Sequence, residues 1–256
     1  MLLKGGNFHT HFFPIFCLFF ALAMQATICS AQKFQPPQFA VKPNTPKAWA
    51  LATAAILFQA NGERHDILAG VERSPENIKE QKESVADSWG IYNKQDLLEV
   101  LDGLDKGGHR KHFEALGTYV MSLSDSTRNI LIKLQTTDQD RNEIDVVMKH
   151  YARLGKKSLL GWDYCRYVSL CRRGYLFGYF TEEEAWRKIM YAARILQNTF
   201  DSWQDLGENY LIGREFWSYE NVGPHGQRYR NAYDRLLNDP KSPWNITVWN
   251  LNLDSE

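Results

Sequence analysis

The stretch LGWDYCRYVSLCRR, residues 160–173, constrains the fold more than any other part of the chain. Read as a helix, it carries Tyr164, Tyr167, Val168 and Cys171 on one stripe, while Trp162, Cys165 and Leu170 fill most of the remaining surface. A helix apolar on nearly every side belongs in the middle of a domain. Asp163 and Arg166 nevertheless sit within it at i and i+3, in the acid-before-base order that favours pairing. An unpaired buried charge costs several kcal/mol, so these two must satisfy each other or meet partners from other helices. The candidate partners are His109 and Arg214, polar groups on the apolar stripes of two other helices. Arg172-Arg173-Gly174 reads differently, because basic residues followed by glycine mark an ordinary helix end.

Start and stop signals place further helices around this one. Thr45-Pro46 begins a helix that carries Trp49, Ala52 and Ile56 up to Asn61-Gly62, and Ser74-Pro75 begins another that ends at Gly90. Asn93 caps a third with a Leu97, Leu98, Leu101, Leu104 stripe that closes at Gly107-Gly108. The next starts at His109 and continues through Phe113, Leu116 and Val120. A short helix is expected around Ile130 to Leu134, and a longer one through Ile144, Val147, Met148 and Tyr151 to Gly155. Thr181 with Glu184 forms a capping box ahead of Trp186, Ile189, Met190, Ala193 and Phe200. The last strong pattern is Gly207, Tyr210, Arg214, Trp217; NVGPHGQ after it reads as a loop, and the tail wraps the surface and pins itself with Trp244 and Trp249. No stretch alternates at period two and no repeat of domain scale occurs, so the expected fold is all-α, a single globular domain of about eight helices.

The first 31 residues carry one charged residue, Lys4, an apolar run from Phe12 to Met24 and the ending Cys29-Ser30-Ala31. This is the pattern of a secretory signal peptide cleaved after Ala31, and the expected location is periplasmic or secreted. The 13-residue run is shorter than the roughly 18 residues that span a bilayer, so no stable membrane insertion is expected after its removal. Residues 32–46, with four prolines between Pro36 and Pro46, form an extended leader to a helical domain over 47–253. Without the signal, 29 basic residues face 30 acidic ones, a net charge of −1 that draws in no nucleic acid. Cys165 and Cys171 are the cysteines that remain; six residues turn a helix by about 240°, so they diverge and are expected as free, buried thiols.

The ordered series Trp89-Gly90-Ile91, Gly108-His109-Arg110 with Phe113, Trp162-Asp163 with Arg166, Glu184-Ala185-Trp186, Ser202-Trp203, Gly207 with Tyr210, Gly213-Arg214 with Trp217, and Ser242-Pro243-Trp244 resembles the bacterial domain of unknown function 1266 family. The resemblance spans about residues 49–250. It implies an α-helical bacterial domain and brings no assigned activity and no catalytic residues. Many members look cytoplasmic, whereas this chain opens with an export signal, so location is not borrowed from the family.

The candidate site rests on the residues themselves. Asp163, Arg166, Arg214 and His109 form the polar floor of a pocket walled by Trp162, Trp203, Tyr210 and Trp217, or else a structural network that holds four helices in register. A pocket of this kind suits a small anionic or carboxylate ligand, held by Arg166 or Arg214 beside Trp203, Tyr210 and Trp217. A second reading is an enzyme in which His109 acts as general base with Asp163 fixing its tautomer. A third is an interaction or effector protein with a purely structural cluster and an exposed patch at Trp244 and Trp249. His109, His112 and Asp163 lack a second Glu-x-x-His and an H-E-x-x-H, so no metal is expected, nor any other cofactor. Glu182-Glu183-Glu184 serves its helix start, and His65, His150 and His225 read as solvated. Asn245-Ile246-Thr247 matches a glycosylation sequon by coincidence. Absence of G-x-S-x-G, a phosphate loop, a dinucleotide fingerprint and C-x-x-C lowers the common hydrolase, nucleotide and redox readings.

Overall fold

The computed structural model describes residues 40–219 and 224–254. The expected signal peptide, most of the leader and the side chain of His225 lie outside the described residues. Among the described residues the fold is all-α, with no strand. No helix among them is long and apolar enough to cross a membrane.

Twelve α-helical segments occur among the described residues, more than the eight expected. The first expected helix is two, α1 (Pro46–Ala52) and α2 (Ala55–Ala60), because the Thr53 hydroxyl turns back to donate to Ala50 O at 2.7 Å between them. Next come α3 (Pro75–Trp89), capped by Ser74 and ended by left-handed Gly90, and α4 (Lys94–Lys106), closed by an Asn93/Asp96 capping box. Helix α5 spans Arg110–Ser122. The short helix expected around Ile130 is a full α6 (Asp125–Leu134), started by the Ser124 hydroxyl, and α7 (Asp138–Leu154) starts at Thr137. Then follow α8 (Leu160–Leu176), α9 (Glu182–Thr199) behind the Thr181/Glu184 capping box, and α10 (Trp203–Trp217) behind Ser202. The segment read as a loop, NVGPHGQ, instead leads into α11 (Pro224–Asn238), with Pro224 as its first residue. A last turn, α12 (Pro243–Ile246), carries Trp244.

Helix α8 is the centre, packed against α4, α9 and α10, and every residue from Gly161 to Leu176 is buried. Close approach of α10 to α8 depends on Gly213, where a β-carbon would overlap Trp162. Cys165 and Cys171 are free and buried on α8, and burial pushes both thiols well above their ordinary range.

The Arg172-Arg173-Gly174 reading is corrected by the structure. The helix runs on to Leu176, and Arg172 is 0 % exposed. Its guanidinium lies 3.4 Å from the centre of the Phe58 ring and donates to the carbonyls of Leu68, Arg64 and Ile67, each at 2.9 Å. Arg173 grips both carboxylate oxygens of Glu63, at 2.5 and 2.6 Å, and reaches Ala69 O. Residues 67–70 form a buried loop whose carbonyls have no helix or sheet to pair with; the two arginines donate to those of Ile67, Leu68 and Ala69, and the Arg64 amide to that of Gly70.

The tail folds inward. Trp49 of α1, Trp203 of α10, and Trp244 and Trp249 of the tail form one cluster, with ring centres 4.7 to 6.1 Å apart along its four contacts. The indoles of Trp49, Trp203 and Trp244 donate to Trp249 O, Thr247 O and Ala52 O at 2.8 to 2.9 Å. Trp244 is therefore buried and Trp249 half-buried, so the two tryptophans form no exposed patch, while Ile246 and Val248 between them are exposed. The Asn245 side-chain amide is engaged with Leu237 O and Asp239 O as part of the same closure. Truncating Trp203 removes the ring that touches the other three. Trp203→Ala is expected to lower stability in urea by about 3–5 kcal/mol; a loss below about 1 kcal/mol would show that the cluster does not hold the tail.

Candidate functional site

The Asp163 carboxylate is 0 % exposed and accepts four hydrogen bonds. Oδ1 takes the His109 amide at 3.0 Å and Arg166 Nη2 at 2.7 Å; Oδ2 takes the Arg110 amide at 3.2 Å and Arg110 Nη1 at 2.9 Å. The amides of the N-cap residue and of the first residue of α5 are thus held by a carboxylate from another helix, since His109, the N-cap, makes no side-chain cap of its own. Gly108 permits the approach: its φ is +49° and a β-carbon there would overlap the carboxylate. Arg110 also donates to Leu104 O at 2.7 Å and Asp105 O at 2.5 Å, which ties the end of α4 to the start of α5. Arg110 is the member of this network that the helical pattern did not single out. A basic residue in the first turn of a helix opposes the dipole unless a carboxylate lies beside it, and that was the available signal.

Arg166 and His109 join the network on its outer side. Arg166 Nε donates to Trp162 O at 3.1 Å, and Nη2 also donates to His109 Nδ1 at 2.8 Å. The guanidinium is sandwiched 4.0 Å from the Trp162 ring centre and 5.2 Å from that of Trp89. Burial, then the Arg166 charge, push the His109 pKa down to about 4, so the ring is neutral at pH 7 with its proton on Nε2. His109 Nδ1 stands 3.9 Å from Asp163, beyond hydrogen-bond reach. Arg166, and not Asp163, therefore sets the His109 tautomer.

A solvent-connected cleft of about 500 Å³ lies beyond this network. Its floor is α8, through Trp162, Arg166, Ser169, Leu170 and Arg173. One wall is α3, which buries only Val85 in the protein and turns Gln81, Ser84, Ser88 and Trp89 to the cleft. The opposite wall joins Tyr210, Arg214 and Trp217 of α10 to Arg228 and Tyr229 of α11. His109, Leu57 of α2 and its C-cap Asn61 complete the lining. Arg214 lies 3.4 Å from the Tyr229 ring centre and 5.8 Å from that of Trp217. Four arginines line the cleft and, among the described residues, no Asp or Glu does.

The expected cluster is thus divided. Asp163, Arg166 and His109 come together, while Arg214 faces them from the far wall and Asp163 stays beneath the floor. Tyr210 and Trp217 are wall residues, with Trp217 46 % exposed at the rim. Trp203 does not line the cleft: its indole is committed to Trp49, Trp244 and Trp249, which corrects its place among the wall residues. His112 pairs with Glu143 at 2.8 Å, and among the described residues no three His, Cys, Asp or Glu side chains are placed to hold a metal. His65, read as solvated, is half-buried against Gln59 with its pKa lowered to about 4, chiefly by burial and next by Arg172. His150, also read as solvated, is half-buried, and burial lowers its pKa.

The sequence model of the family described as "Protein of unknown function (DUF1266)" matches residues 84–249. The chain belongs to this family. The match runs from α3 to the tryptophan tail, so it contains every cleft residue except those of α2 and Gln81. Two Escherichia coli (strain K12) proteins are similar: "Uncharacterized protein YbeR", 26% identical over 135 residues, and "Uncharacterized protein YbeU", 28% identical over 136 residues. Each match covers 52% of this chain and 56% of the relative, so the chain spans about half the length of the curated relatives it matches. No solved structure matches.

Two outcomes follow from this geometry. Asp163→Asn leaves Arg110 and Arg166 without their shared carboxylate and is expected to cost about 3–5 kcal/mol in urea unfolding; a change within about 0.5 kcal/mol would show that the network does not support the fold. His65 and His109 are neutral in the fold with pKa values of about 4, against 6.5 when unfolded. The unfolded chain then binds more protons between those values, so their contribution is full above pH 6.5 and is lost as pH falls toward 4. Stability measured at pH 7 and pH 5 is expected to drop with acid, and less so in a His65→Gln/His109→Gln variant.

Proposed function

We infer that the chain is a binding module that holds a small anionic ligand in the cleft between α3, α8, α10 and α11. The observation that carries this reading is a solvent-connected cleft of about 500 Å³ lined by four arginines and no carboxylate among the described residues. Its volume falls in the ordinary range of ligand sites, roughly 300–1,000 Å³, and its mixture of aromatic walls with a few polar groups is theirs as well. The Arg166 guanidinium, laid against Trp162 and Trp89, keeps Nη1 for a carboxylate or phosphate oxygen. The apolar run from Phe12 to Met24 supports a role outside the cytoplasm, with the ligand met in the periplasm or beyond.

Trp89, Trp162 and Trp217 give the cleft its own fluorescence reporter. Titration with benzoate and with phenyl phosphate is expected to change the intrinsic emission saturably, and Arg214→Gln is expected to weaken binding by about tenfold or more. Absence of saturable binding by either anion, or equal binding by the variant, would overturn the reading.

A further inference from the structure

Three of the four cleft guanidiniums can be ordered along its length, while Arg214 lies against the Tyr229 ring on the wall. Arg166 and Arg173 are seven residues apart on α8, so their α-carbons stand about 10 Å apart along the floor. Arg228 belongs to the Arg173 end: its Nη2 donates to Asn61 Oδ1 at 3.1 Å, and Glu63, two residues on from Asn61, holds Arg173. The cleft therefore has one cationic pole at Arg166 with His109 and another at Arg228 with Asn61.

Each pole retains donors. At the first, Arg166 spends Nε and Nη2 on Trp162 O, Asp163 and His109, and Nη1 makes no hydrogen bond among the described residues. The carboxylate on this guanidinium is shared with Arg110. At the second, Arg228 meets neutral partners, Asn61 Oδ1 and the Tyr229 hydroxyl at 3.0 Å, and lies at the exposed rim. Arg173 takes no part, since Glu63 occupies it in a two-oxygen grip. Leu170 lies on the floor between the poles, and the Tyr229 ring, with Arg214 against it at 3.4 Å, on the wall.

We propose that the cleft takes a dianion whose two acidic groups are separated by an apolar spacer, one group on Arg166 and the other on Arg228. This rests on the anion-binding reading and goes further by naming two charges and a distance. With allowance for side-chain reach, the groups stand roughly 6–10 Å apart. Short dianions reach one pole only. Monoanions of the right length leave Arg228 in water.

The test is calorimetric titration of the full chain with suberate, succinate and octanoate. Suberate is a long dicarboxylate, succinate a short one, and octanoate matches the length of suberate with a single charge. Suberate is expected to bind at least tenfold more tightly than either. Arg228→Ala, at an exposed position, is expected to bring suberate down to the level of octanoate and to leave octanoate unchanged, while Arg228→Lys recovers part of the difference. If suberate and octanoate bind alike, or Arg228→Ala weakens both equally, the two-pole inference is overturned and the anion-binding reading stands. If none of the three binds, and benzoate and phenyl phosphate also fail, the anion-binding reading itself falls.

Discussion

A single buried carboxylate, Asp163, organises the part of the molecule on which the rest depends. It lies in the first turn of α8 and caps α5 from 54 residues away, and it is the meeting point of two guanidiniums that reach to α4 and back along α8. Four donors within 3.2 Å replace the water it has lost, which is the condition under which a charge persists in a protein interior. The same arrangement explains the glycine at position 108, because the carboxylate occupies the space where a side chain there would begin.

The network also sets what the cleft can present. Arg166 is held flat between two tryptophans, and His109 is kept neutral beside it. A guanidinium fixed through Nε and Nη2 loses little freedom when an anion binds Nη1, which favours recognition over mere attraction. The stabilising carboxylate is shared with Arg110, so two guanidiniums against one carboxylate leave the network a net positive charge. Arg172 and Arg173 do comparable work at the other end of α8, where they fasten the buried loop over residues 67–70 and thereby set the position of Asn61 and its neighbours.

Some of this was legible in the chain and some was not. The caps at Thr45, Ser74, Asn93 and Thr181 are local signals, since side chain and amide are three residues apart at most, and the helices they announce are present. The buried character of α8 followed from its composition on every side. Arg172-Arg173-Gly174 was misleading because the same three residues end a helix in water and, in this chain, serve a loop about one hundred residues earlier. Gly174 is there for packing against Phe180 and Leu97 and ends nothing. Helix α11 was hidden by the Gly-Pro pair at its start, which signals a turn and a helix beginning equally well. Trp203 and Trp217 stand fourteen residues apart on one helix, yet one is sealed in the tryptophan cluster and the other opens on the cleft.

By itself the sequence determined the helical class, the burial of α8 and the need for Asp163 and Arg166 to find partners, because periodicity, capping and the cost of an unpaired charge act over a few residues and leave a local trace. Only the tertiary structure decided which partners those were, that Asp163 lies beneath the floor and Arg214 on the opposite wall, and that α3 stands off the body to leave a cleft. These depend on where helices distant in the chain come to rest, and side chains separated by 50 to 100 residues meet through packing of the whole core, which no short-range pattern records.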